Sequence, residues 1–156
     1  MFKKILVPLD GSKLAEKILP HVEDIAKGLN AQVTLMSASH FAGAAMVSED
    51  TLKQLRADEK TATEKYLNQL ADNLKQKGLE INWVYKEGLA STQIIATAKE
   101  QNADLIAIAS HGGGEFAWNL GSVTEKVMKH TSVPVMVLPV MEKNPPEVKP
   151  EWFLGA

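Results

Sequence analysis

Five short apolar runs punctuate this chain, separated by polar turns and by stretches with helical period. The first, Ile5 to Leu9, closes at Asp10-Gly11-Ser12 and predicts a buried strand, a turn and a helix start. Leu14, Ile18, Val22, Ile25 and Leu29 then recur at helical spacing, with Gly28 where a helix commonly stops. Val33 to Ala38 reads as a second strand. The stretch from Ser39 to Asp50, polar and small without a clear period, reads as a surface loop. From about Asp50 to Lys77 a long amphipathic helix is expected, carrying Leu52, Leu55, Ala62, Tyr66, Leu70 and Leu74 on one stripe and ended by Gly78.

Ile81 to Lys86 partly alternates apolar and polar, the mark of a strand with one wet face or an edge position. Ser91 is placed to cap a helix with Ile94, Ile95 and Ala98, and Leu105 to Ala109 is an unbroken apolar run suited to burial on both faces of a parallel sheet. After the loop Ser110-His111-Gly112-Gly113-Gly114-Glu115, Ser122 and Glu125 stand at capping-box spacing at the head of another helix. In the last strand, Pro134 to Leu138, the flanking Pro134 and Pro139 cannot donate ladder hydrogen bonds and argue for an edge. The run between them is apolar enough for a partner chain to pair there. The strict alternation of strand and helix predicts one open α/β sheet with helices on both faces over residues 1–141, followed by a Pro-rich, extended tail over residues 142–156 that ends near Trp152 and Phe153.

Composition narrows the class. A chain of 156 residues with 45% hydrophobic and 23% charged residues suits one globular domain. Cys is absent, which excludes a disulfide framework, a thiolate nucleophile and a thiolate zinc site, and makes the cytoplasm the expected compartment. Seventeen Lys and Arg against 19 Asp and Glu give a net charge of −2, so no global field draws the chain to nucleic acid or an anionic membrane. No apolar run approaches the roughly 20 residues that span a bilayer, and the run after Lys3-Lys4 is cut at Asp10 before a signal sequence could form.

Ligands of open α/β sheets bind beyond the C-terminal ends of the strands, where strand order reverses. Two strand ends here carry suitable chemistry. Asp10 offers a carboxylate to ribose or base hydroxyl and amino groups, and it is equally suited to capping the first helix. The Ser110 to Gly114 loop with the helix start at Gly121-Ser122-Val123 offers backbone amides and a helix dipole to an anion, although glycine loops of this kind also occur as plain connections. The remaining histidines, His21, His40 and His130, show no metal-ligand spacing.

Taken together, Ile5-Leu6-Val7-Pro8-Leu9-Asp10-Gly11-Ser12, Ala103-Asp104-Leu105-Ile106, Ser110-His111-Gly112, Leu120 to Val127 and Val133-Pro134-Val135-Met136-Val137 resemble a universal stress protein domain over about residues 1 to 140. The resemblance implies an adenine nucleotide alpha hydrolase-like, five-stranded parallel sheet of order 3-2-1-4-5, with the ends of the first and fourth strands side by side. It implies that Asp10 contacts adenosine, that Pro8 and Ala38 line the base, and that Ile108, Ala109, Gly112, Gly121, Ser122 and Val123 surround ribose and phosphates. His111 and Gly114 belong to the same loop, with His111 a loop-positioning residue rather than a base. The family's ATP binders follow a pattern of Gly, two residues, Gly, nine residues, then Gly-Ser or Gly-Thr. This chain departs from it at Ala109, where the first Gly is expected, and between Gly112 and Gly121, where one residue is missing; Glu115 adds a carboxylate to the loop.

The reading that follows is a regulatory stress-response protein that binds ATP, with any Mg or Mn ion riding on the phosphates. It pairs with a second copy through Val135 to Leu138 and has at most weak hydrolysis. The alternative is a dimeric interaction module of the same fold without nucleotide. An ATP-pyrophosphatase wants a longer serine-glycine phosphate loop after the first strand than Asp10-Gly11-Ser12-Lys13, a response regulator a second acidic residue beside Asp10, and a flavodoxin more hydroxyls than Ser12 supplies.

Overall fold

The computed structural model describes residues 1–42, 44–110 and 120–140. It forms one five-stranded parallel sheet of order β3-β2-β1-β4-β5, as the alternation and the resemblance predict. The strands are β1 (Lys4–Pro8), β2 (Gln32–Ser39), β3 (Ile81–Glu87), β4 (Leu105–Ala109) and β5 (Val135–Leu138). Every residue of β4 is buried, as is β1 beyond Lys4, because helices cover both faces at the centre of the sheet. The partly alternating β3 and the Pro-bounded β5 are the two edges.

One face carries α1 (Lys13–Glu16), α2 (Leu19–Leu29) and α3 (Glu49–Gln76), which close a core of Ile5, Val7, Val33 and Leu35 with Ile18, Val22, Leu67 and Ala71. The other carries α4 (Ala90–Glu100) and α5 (Ser122–His130), which pack Ile94, Ala98 and Val127 on Leu6, Met36 and Ile106. The chain after β1 turns to the first face and the chain after β4 to the second, so the gap between these strands is the switch point of the sheet.

Several local expectations are corrected. The first predicted helix is two, since Pro20 has no amide to extend a helix arriving from α1 and instead opens α2 within its first two positions. That helix runs through Gly28 and stops at Asn30, whose φ of 51° is left-handed. The predicted Ser91 cap gives way to Leu89, because Gly88 at φ +132° reverses the chain just before it and Gln93 donates its amide to the Leu89 carbonyl. Ser122 likewise lies inside α5, whose N-cap is Gly121, and Glu125 pairs with Lys129 instead of closing a capping box. Within the expected loop after β2, Ala44–Met46 forms a 3-10 turn and Ser48 caps α3.

The stripe expected on α3 holds only in its C-terminal half. Leu67, Ala71 and Leu74 are buried with Tyr66 and Leu70 against them, whereas Leu55 and Ala62 are exposed. A helix of 28 residues is about 42 Å long, and the seven-residue β3 beneath it about 23 Å, so the first turns of α3 overrun the sheet.

Candidate functional site

The ladder between β1 and β4 is brief. Ile5 and Leu6 pair with Leu105 and Ile106 and no further, whereas β1 stays in register with β2 from Lys4 to Pro8, and β4 with β5 from Ile106 to Ala109. The C-terminal ends of β1 and β4 therefore part, and a cavity of about 150 Å³ opens between them. Its walls are Pro8, Leu9 and Asp10 from the exit of β1, Met36 and Ala38 from β2, Ile108 and Ala109 from β4 with Ser110 just beyond it, Ala90 and Ile94 from α4, Ala15 from α1, Val123 and Thr124 from α5, and its N-cap Gly121.

Asp10 sits at the mouth, exposed. Its role in the turn differs from the predicted cap: Ser12 caps α1, accepting from the Ala15 amide at 3.1 Å, while Oδ1 of Asp10 accepts from the Ser12 amide at 2.9 Å and from the Ser12 hydroxyl. Asp10 thus orders the turn that Gly11, at φ +84°, makes possible. The bonds to Ser12 engage Oδ1 and fix the direction of the carboxylate at the rim.

On the β2 side, the Met36 carbonyl accepts from the Leu9 amide at 2.8 Å, while the Ser39 carbonyl accepts from Gly88 beyond β3 at 2.9 Å. Peptide groups alternate sides along a strand, so those of Ala38 turn the same way as Met36, toward a β1 ladder that has already ended at Pro8. A main-chain donor and a main-chain acceptor are thereby presented to the opening beside Asp10. Ser37 secures this corner by donating its hydroxyl to the Leu9 carbonyl at 2.6 Å.

The opposite wall is the head of α5. The Gly121 amide donates to the Ser110 carbonyl at 2.8 Å, and buried Thr124 donates its hydroxyl to the Ala109 carbonyl at 3.0 Å, so the first turn of α5 is tied to the end of β4. Glu125 is the first residue of α5 whose amide reaches a carbonyl one turn back, that of Gly121. The Val123 and Thr124 amides precede it, where a helix has no acceptor of its own and where the dipole favours an anion. A side-chain hydrogen bond from Lys129, aided by its charge and that of Lys126, holds the Glu125 carboxyl below its usual range, so this acid is paired along the helix.

Ala109, the departure from the glycine pattern, is accommodated. Among the described residues only Asn30 and Asn102 combine a side chain with positive φ, so Ala109 ends β4 without backbone strain. Gly121 also has an ordinary φ of −56°, so its backbone angle does not demand glycine.

Seven residues expected at the site, Pro8, Asp10, Ala38, Ile108, Ala109, Gly121 and Val123, line this one cavity. Ser122 does not line it and is exposed on the first turn of α5. His111, Gly112, Gly114 and Glu115 lie outside the described residues, as does the tail over 142–156. Met36, Ala15, Ala90, Ile94 and Thr124 were not foreseen. The alternate-residue period of β2 could have found Met36, two positions before Ala38 on the same face. The chain carries no local signal for the other four, Ala15, Ala90, Ile94 and Thr124, which arrive by helix packing.

The universal stress protein family matches residues 1–139. The chain belongs to that family. Universal stress protein YxiE of Bacillus subtilis is 29% identical over 147 residues, covering 88% of this chain and 99% of that one. The solved structure of protein MJ0577 of Methanocaldococcus jannaschii superposes with a TM-score of 0.81 at 28% identity, over 93% of this chain and 99% of its own. Two further solved universal stress proteins share the fold. One, in complex with cAMP, has a TM-score of 0.66 at 23% identity and covers 88% of this chain and 97% of its own. The other, from Arabidopsis thaliana with AMP bound, has a TM-score of 0.65 at 16% identity and covers 87% and 90%. Among the described residues no helix is long and apolar enough to cross a membrane.

Proposed function

We propose that the cavity between β1 and β4 binds an adenine nucleotide, ATP in its full form, and that the protein uses it in a regulatory, stress-response role as a cytoplasmic homodimer. The observation that carries this reading is the convergence of three kinds of group on one opening: the Asp10 carboxylate, the peptide of Ala38, and the first-turn amides of α5. Their chemistry sorts a nucleotide by its parts. Phosphates go to the amides and dipole of α5. Ribose or amino hydrogens go to Asp10, and a base edge with one donor and one acceptor goes to Ala38. Apolar Pro8, Met36, Ile94 and Ile108 take the faces of the ring. A phosphate placed at Asp10 would meet a like charge, which fixes the polarity of the ligand. The nucleotides bound by the cAMP and AMP relatives support this class of ligand.

The reading assigns no catalytic residue, and a Mg or Mn ion would enter on the phosphates. Pairing through β5 is supported by its backbone. The Pro134 and Leu138 carbonyls accept from Ile106 and Ser110 of the β4 side, so the peptides of Val135 and Val137 face the open edge. Mass spectrometry of nucleotide released from the purified, denatured protein tests the ligand. ATP or ADP at near one per chain is expected, and protein free of adenine nucleotide that also fails to take up added ATP would favour the nucleotide-free interaction module.

A further inference from the structure

Ser110 is 5% exposed and stands where three parts of the fold meet. Its amide donates to the Leu138 carbonyl at the end of β5, at 2.8 Å. Its hydroxyl oxygen accepts from the Val140 amide at 2.9 Å and lies 3.4 Å from the Val140 carbonyl, so it also clamps the chain as it leaves β5. Its carbonyl accepts from the Gly121 amide at 2.8 Å, at the head of α5. One residue thus joins the cavity, the anion-facing helix start and the exit of the edge strand.

We propose that Ser110 is a positioning residue that couples occupancy of the cavity to the state of the β5 edge, so that nucleotide strengthens pairing with a second copy. The inference rests on the nucleotide and dimer reading above. A ligand that binds the first-turn amides of α5 fixes Gly121, and with it the Ser110 carbonyl. The planar peptides on either side of Ser110 transmit that position to its amide and hydroxyl, and so to Leu138 and Val140. Those two residues set where β5 ends and how its outward peptides at Val135 and Val137 are held. Coupling of this kind is reciprocal: whatever factor nucleotide adds to pairing, pairing adds to nucleotide affinity.

The test is sedimentation equilibrium of the full chain, without nucleotide and with saturating ATP, for wild type, Ser110→Ala and Val140→Pro. The first variant removes the hydroxyl; the second removes the amide that bonds to it while leaving the cavity lining in place. In wild type ATP should tighten the dimer by about 5-fold or more, within the usual range for coupled sites. In both variants, each compared with itself at saturation, that ratio should fall toward one. Amide hydrogen exchange on wild type gives a readout that does not depend on either variant folding: ATP should slow exchange at Ser110 and Val140 and leave β3, at the far edge, unchanged. An unchanged dimer constant in wild type, a ratio that survives both substitutions, a chain that stays monomeric, or protection that does not reach Val140 would each overturn the proposal. Calorimetry with ATP, run alongside, separates these failures from a failure of nucleotide binding itself.

Discussion

The hydroxyl of Thr124 donates to the carbonyl oxygen of Ala109 at 3.0 Å, locking the head of α5 to the last residue of β4. Thr124 is 3% exposed, so the carbonyl has no water to turn to when the hydroxyl is removed. Thr124→Val, of nearly the same shape, should therefore cost about 1–3 kcal/mol, the range for a buried group left unsatisfied. It should also weaken ATP binding, because the amides of α5 lose their tether. Thr124→Ser should keep most of both. Urea denaturation and a binding titration on the same samples check this; equal stability of the valine variant would show that the bond does not anchor the helix.

Asp10 has two duties that substitution can separate. Asn at position 10 keeps an oxygen for the Ser12 amide and hydroxyl, so Asp10→Asn should fold with stability within about 1 kcal/mol of wild type. It loses the charge offered to the ligand, and hydrogen bonds to charged groups are worth about 1.5–3 kcal/mol, so affinity for ATP should fall about tenfold or more. Affinity unchanged in the Asn variant would confine Asp10 to the turn.

Tyr66 of α3 presents a buried hydroxyl near the carboxylates of Glu16 and Asp10, and among the described residues no geometric hydrogen bond satisfies it. Burial first, and then those two charges, push its phenol well above the ordinary value of about 10. The neutral phenol is therefore favoured by folding. Its contribution is full below about pH 10 and is lost as pH rises from there through the folded value, because the unfolded chain ionises first. Tyr66→Phe should be at least as stable as wild type at pH 7 and should lose less stability between pH 10 and 11. Denaturation midpoints across that range check the sign; parallel curves would contradict it.

The outward peptides of β5 give the dimer its own test. Val137→Pro removes one amide from the open edge and none of the bonds to β4. Sedimentation should show a shift toward monomer with circular dichroism unchanged, and a persistent dimer would place the interface elsewhere.

The fold was legible because its strands announce themselves. Leu105 to Ala109, buried throughout, could only be central, and Pro134 with Pro139 could only bound an edge. Asp10 and Gly121 followed from their place after a strand and at a helix head, whereas the strand order that sets the switch point, and Ala38, came from the family resemblance. Helix boundaries were less legible, since they depend on contests that local pattern does not decide. The turn at Gly88 makes Leu89 rather than Ser91 the N-cap of α4, and Gly121, bonded to the Ser110 carbonyl, rather than Ser122 is the N-cap of α5. Ala90 and Ile94 reach the cavity only because α4 packs across β2, a distance no spacing in the chain encodes.

Isothermal titration calorimetry with ATP tests most directly whether the head of α5 holds phosphate. Wild type should release or absorb heat saturating at one ATP per chain, adenosine should bind more weakly than ATP, and Gly121→Val combined with Ser122→Ala should fold yet lose ATP affinity by about tenfold or more, as expected when charge-assisted bonds to the anion are lost. No heat at millimolar ATP, or equal affinity for ATP and adenosine in both proteins, would contradict it.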